Sequence, residues 1–179
     1  MTKFAVHFSE VLIKFNEFMI KQEKQMKLYL VRHAEPKQES EDPKRPLSEK
    51  GRIDSRRVAA YVAKHLKIQV KCILHSGKLR AQQTAEVLSE HLTPPDGLKE
   101  VDGLKPLDEP SIWASRIAET QEDTMLVGHL PHLSKLAAYL ISHDESQKIV
   151  EFQASTIVCL GRDTSGNWSI QWIINPDDV

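Results

Sequence analysis

An α/β domain with a mostly parallel mixed sheet and helices on both faces is the fold this sequence predicts, and three features predict it. Short apolar runs of strand length alternate with helical apolar stripes from residue 27 to residue 141. The first run, Lys27-Leu28-Tyr29-Leu30-Val31, is apolar almost throughout, as in a central strand covered on both sides. The chain has 179 residues, 40% of them hydrophobic and 27% charged, which suits one domain with a sizeable core.

The charge balance narrows the partners. Lys and Arg number 24 against 25 Asp and Glu, a net charge of −1, so there is no broad basic surface to hold a nucleic acid. Cys72 and Cys159 each sit in an apolar run and read as buried, reduced residues on strands. They show neither metal spacing nor a disulfide framework, which points to the cytoplasm. No apolar stretch approaches the roughly 18–20 residues of a transmembrane segment.

Residues 1–25 form a separate element in this reading, an N-terminal amphipathic helical extension before a domain over residues 26–179. Phe4, Phe8, Val11, Leu12, Phe15, Phe18 and Met19 recur at the spacing of one helix face, and Glu10, Lys14 and Glu17 break any signal-peptide core.

The first strand ends abruptly in Arg32-His33-Ala34-Glu35-Pro36, and a polar loop runs to Pro46. Ser48 is the expected N-cap of a helix whose apolar face is Ile53, Val58, Tyr61, Val62 and Leu66. Val70 to Leu74 reads as a second strand. His75-Ser76-Gly77 follows, with Ser76 the expected N-cap of a helix carrying Leu79, Ala81, Thr84, Ala85, Val87, Leu88 and Leu92.

A Pro- and Gly-rich segment from Asp96 to Pro110 contains one short strand near Leu98 to Val101, and Ile112 to Ala118 reads as a short helix. Thr124 to Val127 is a third clear strand, followed by Gly128-His129. Pro131 falls in the first turn of a helix striped with Leu133, Leu136, Ala137, Leu140 and Ile141. Ser155 to Leu160 and Trp168 to Ile174 flank a polar turn and read as a hairpin, with Trp168 and Trp172 on one face.

Three strand-to-helix junctions therefore carry unusual residues: Arg32-His33, Ser76 with Arg80, and Gly128-His129. In a parallel sheet these lie on one edge, where ligands bind, and helix N-termini add potential favourable to an anion. Two guanidiniums match phosphoryl oxygens, a neutral imidazole can attack phosphorus, and a second can stabilise the equatorial oxygens. His129 and His132 are spaced for metal ligation but lack nearby carboxylate or thiolate partners, so no metal and no other cofactor is expected.

Leu-Val-Arg-His-Ala-Glu at 30–35, Arg-Pro-Leu-Ser-Glu-Lys-Gly at 45–51, Ser-Gly-Lys-Leu-Arg-Ala-Gln-Gln-Thr-Ala at 76–85 and Val-Gly-His-Leu-Pro at 127–131 resemble the histidine phosphatase superfamily. The closing hairpin is similar to that of its small SixA-type members, and the resemblance spans residues 26–179. It implies the phosphoglycerate mutase-like fold, His33 as a transiently phosphorylated nucleophile, and Arg32, Arg80 and His129 as the phosphoryl-binding and transition-state-stabilising set.

Gly77 stands where the family usually has proline, so the turn before Arg80 is expected to be less pre-set. His132 is expected at the pocket rim or partly exposed on its helix, and His75 is ambiguous in the same way. The general acid has three candidates, Glu35, Glu100 and Asp102. A phosphohistidine can leave as neutral imidazole without a strong acid, unlike an alkoxide. The expected activity is thus hydrolysis of phosphohistidine on a signalling or phosphotransfer protein. The alternatives are a phosphatase of small phosphate esters and a binding module without turnover, against which the intact His33 argues.

Overall fold

The computed structural model describes residues 25–179, and the expected N-terminal helical extension lies outside the described residues. Six strands and four α-helices follow in order: β1 (Met26–Arg32), α1 (Glu49–His65), β2 (Ile73–His75), α2 (Leu79–Leu92), β3 (Leu98–Glu100), α3 (Pro110–Glu119), β4 (Thr124–Gly128), α4 (His132–Ser142), β5 (Ile157–Arg162) and β6 (Trp168–Ile174). They form one sheet in the order β3-β2-β4-β1-β5-β6. β1 to β4 are mutually parallel, and the hairpin of β5 and β6 adds antiparallel strands beside β1.

β1 is central, which explains its apolar run. Leu28 and Leu30 face a core built with Trp113 and Ile117 of α3 and Leu133, Leu136 and Ala137 of α4. Tyr29 and Val31 face the opposite core, built with Val58, Ala59 and Val62 of α1 and Ala81, Ala85 and Leu88 of α2. The layers are thus two helices, a sheet and two helices.

Strand register positions the functional residues. Arg32 pairs with Gly128, and His75 pairs with Val127. His33 and His129 therefore leave the sheet at one level, and Ser76 leaves one residue below them.

Local chemistry starts and stops the helices as expected in part. The Ser48 hydroxyl accepts from the Gly51 amide at 3.0 Å and caps α1. A Cβ on Gly51 would collide with the Glu35 carbonyl oxygen, so the glycine lets α1 approach the loop after β1. Pro110 opens α3 as a first-turn proline. Pro131 sits one position earlier than expected, as the N-cap of α4, after a cis peptide with Leu130.

Five expectations are corrected. Ser76 does not cap α2, whose N-cap is Lys78, because its hydroxyl is engaged elsewhere. The second strand begins at Ile73, where pairing with Met125 begins, so Cys72 precedes it and is only half-buried. Ile53 is 49% exposed and does not join the buried face of α1. His132 is neither at a rim nor partly exposed but 0% exposed, enclosed at the start of α4.

Trp168 and Trp172 do not share a face. Cys159 pairs with Trp172 and Leu160 with Ile170, which leaves Gln171 as an extra residue in β6. That bulge inverts the alternation, so Trp168 packs with the α3/α4 core and Trp172 with the α1/α2 core.

Candidate active site

His33 leaves β1 with its backbone held on two sides. Its amide donates to the Gly128 carbonyl at 3.1 Å, and its carbonyl accepts from the Ser155 amide at 3.4 Å. The ring is oriented by its own neighbour, with Nδ1 2.8 Å from the Ala34 carbonyl oxygen. A carbonyl can only accept, so Nδ1 carries the hydrogen and Nε2 keeps its lone pair. The Ala34 amide in turn donates to Thr84 Oγ1 at 3.0 Å, and that hydroxyl donates to the Arg80 carbonyl at 2.7 Å.

Arg80, in the first turn of α2, brings its Nε–H to Nε2 of His33 at 3.2 Å. His129 stacks obliquely beside His33, with ring centroids 4.8 Å apart. Its Nε2 lies 2.6 Å from Ser76 Oγ, deep in the fold, where both residues are buried. Arg32 donates from one terminal nitrogen to the Phe152 carbonyl at 2.8 Å, while its Nε is buried with no hydrogen-bond partner among the described residues. Three sequence-predicted residues, His33, Arg80 and His129, therefore meet directly, with Arg32 anchored beside them.

Electrostatics keep both rings neutral. Burial pushes His33 down to about 4, the Ala34 hydrogen bond opposes this, and the positive charges of Arg80, Arg32 and Arg45 reinforce it. Burial, with His33, Arg80, Lys78 and His132 adding to it, pushes His129 down to about 2. A neutral imidazole with a directed lone pair, under the field of several cations, is suited to attack on a phosphorus atom. Two guanidiniums supply planar forks for its oxygens.

The remaining candidates separate. Glu35 accepts from the Ser48 hydroxyl at 2.7 Å, which ties it to the cap of α1. Asp102 pairs with Arg116 at 2.8 Å on the surface. Glu100 is exposed at the end of β3, and its carboxylate fills the space over Gly77 where a side chain would stand. None of the three is hydrogen-bonded to His33 or His129 among the described residues.

His75 is buried, and its Nδ1 accepts from the Gly77 amide at 3.2 Å, shaping the turn that leads to Arg80. Gly77 has φ +77°, a value proline cannot take, so this turn differs in backbone from a proline turn. Among the described residues no cluster of three or more His, Cys, Asp or Glu could hold a metal.

Sequence reasoning missed several supports. Gln83 Oε1 accepts from the Leu47 amide at 2.8 Å, so the Arg-Ala-Gln-Gln-Thr stretch holds both ends of the loop between β1 and α1. Arg45, quoted within a motif but given no role, acts electrostatically on both His33 and Arg80. The motif order was the available signal for these residues. The Arg32 contact with Phe152 had none, because it joins residues 120 positions apart.

A model of the histidine phosphatase superfamily (branch 1) matches residues 28–109. Phosphohistidine phosphatase SixA of Escherichia coli (strain K12) is 28% identical over 156 residues, covering 84% of this chain and 94% of SixA. The structure of the protein histidine phosphatase SixA complexed with tungstate aligns at a TM-score of 0.75 and 26% identity, covering 86% of this chain and 99% of that one. A mycobacterial glucosyl-3-phosphoglycerate phosphatase, 16% identical with a TM-score of 0.61, covers 82% of this chain and 97% of its own and shares the fold alone.

The likeness is thus to phosphatases of the histidine phosphatase superfamily, and the fold is phosphoglycerate mutase-like. Within that superfamily the likeness is to the SixA type.

Proposed function

We propose that the protein is a phosphohistidine phosphatase that acts on a phosphorylated signalling or phosphotransfer protein, with His33 as its nucleophile. The observation that carries this is the tautomer of His33: Nδ1–H is held by the Ala34 carbonyl, and Nε2 keeps the lone pair, turned to the Arg80 Nε–H that an incoming phosphoryl group displaces. The similarity to SixA supports the choice of phosphohistidine.

In this reading Nε2 of His33 attacks phosphorus, the bond to the substrate's ring nitrogen breaks, and that ring leaves as neutral imidazole when its other nitrogen is protonated. The product is a cationic phosphohistidine on His33 whose Nδ1–H stays on the Ala34 carbonyl. Water then attacks phosphorus, the bond to Nε2 breaks, and the phosphate keeps both protons of that water. Arg32, Arg80 and His129 hold the equatorial oxygens as their charge changes. The chemistry is closed by protein groups, without a metal. Two unbridged cysteines, one of them buried, favour a cytoplasmic setting.

A second reading, a phosphatase of small esters, is favoured by Glu100. Its carboxylate lies beside the turn that carries Arg80 and is a candidate donor to an alkoxide. Side-by-side turnover of a phosphohistidine protein and an alkyl phosphate, by the unaltered chain and by Glu100→Gln, separates the two. Preference for the phosphohistidine protein, little changed by Glu100→Gln, is expected. Preference for the ester, lost on that substitution, assigns the protein to the second reading.

A further inference from the structure

The loop between β3 and α3 leaves the sheet at the same edge as the candidate pocket and presents an apolar tip. Leu107 is 86% exposed and Ile112 is 40% exposed. A lone exposed leucine means little, because apolar atoms make up more than half of any folded surface. This one is held out by construction. The Lys105 amide donates to the Asp108 carboxylate at 2.8 Å and the Asp108 amide to the Lys105 carbonyl at 3.2 Å, closing a tight turn with Pro106 and Leu107 at its apex.

Both roots of that turn are pinned. Leu104 is fully buried, and the Asp102 carbonyl accepts from Trp113 Nε1 and from Arg116, each at 3.1 Å. A Cβ on Gly103 would come within 3.0 Å of the Ile112 side chain, so Ile112 stands at the base of the same loop. A Cβ on Gly128 would come within 3.4 Å of the Leu104 carbonyl oxygen, so the loop packs on the strand end that delivers His129.

We infer that Leu107, with Ile112 at the foot of its loop, is a docking contact for the folded protein that carries the phosphohistidine. The inference rests on the protein-substrate reading above. Charge complementarity identifies the occupant: the pocket of Arg32, Arg80 and His33, in the field of Arg45 and Lys78, takes the phosphoryl anion. The phosphorylated side chain thus brings its own domain surface against this edge of the sheet, from which the loop carrying the leucine extends. A free phosphohistidine or a small ester fills only the pocket and leaves the leucine in water.

The test compares a phosphotransfer domain phosphorylated on histidine by phosphoramidate with free phosphohistidine. Both are turned over by the full chain and by its Leu107→Asp and Leu107→Met variants. Leu107→Asp is expected to lower kcat/KM on the domain about tenfold, chiefly through KM, as loss of one well-packed contact does. Turnover of free phosphohistidine stays unchanged, and Leu107→Met retains activity on both. An equal loss on both substrates, or no loss on the domain, overturns the docking contact and leaves the activity standing. Turnover of free phosphohistidine but not of the domain by the unaltered chain overturns the protein-substrate reading and the docking contact together.

Discussion

Arg80 donates its Nε–H to Nε2 of His33 at 3.2 Å, while Nδ1 of the same ring is held by the Ala34 carbonyl at 2.8 Å. These two contacts fix which nitrogen carries the hydrogen and which the lone pair, the latter being the nitrogen proposed to attack phosphorus. They also leave the terminal amino groups of Arg80 to reach a phosphoryl oxygen.

Arg80→Lys keeps the charge but removes the planar fork and the directed Nε–H. The substitution is expected to lower kcat/KM by about 10²–10³, the size of losing an aligned charge-stabilising donor. Circular dichroism and the melting temperature should stay near those of the unaltered protein, because Arg80 sits at the pocket mouth and not in either core.

Ser76→Ala leaves the Nε2 of His129 unpaired in a buried setting, having removed its partner at 2.6 Å. A loss of about 1–3 kcal/mol in unfolding free energy is expected, read by urea titration. Turnover should fall as well, since the ring is then free to rotate away from His33.

The motif residues Arg32, His33, Arg80 and His129 were legible because each sits where a strand ends and a helix begins, and parallel strands deliver such ends to one edge. Their supports were not. Ser76 is a common capping residue, and only the level of β2 against β4 shows that its hydroxyl belongs to His129. The extra residue at Gln171 that separates Trp168 from Trp172 depends on pairing with β5 and leaves no mark in a pattern of alternation. Ile53 fits a helical stripe by spacing, yet the described residues leave about half of it exposed.

Acid should act on the fold through the buried imidazoles. His33 has an ordinary value of 6.5 and a folded value of about 4, set first by burial. The unfolded chain therefore binds this proton more readily, so stability is complete above 6.5 and declines as pH falls from 6.5 towards about 4. His129, at about 2, extends the same trend to lower pH. A proton NMR titration of the assigned His33 ring should show no protonation until the pH nears 4; a midpoint near 6.5 contradicts its enclosure.

Gly77→Pro moves the turn towards the residue usual in the superfamily and is nonetheless expected to destabilise this protein. Its φ of +77° is closed to proline, and the Glu100 carboxylate occupies the space a ring would need. The cost should be about 1–3 kcal/mol by denaturant midpoint, with a larger loss of turnover through displacement of Arg80. Pairing Gly77→Ala with Glu100→Ala clears the collision and not the backbone, so it should recover only part of the stability lost by Gly77→Ala alone.

In the proposed mechanism His33 carries the phosphoryl group covalently during turnover. Rapid acid-free quenching with a radiolabelled phosphohistidine protein, followed by peptide mapping, measures it directly. An alkali-stable, acid-labile label is expected on the peptide containing His33 and none in His33→Ala, which is also expected to be inactive. Label on another residue, or full turnover by His33→Ala, contradicts it.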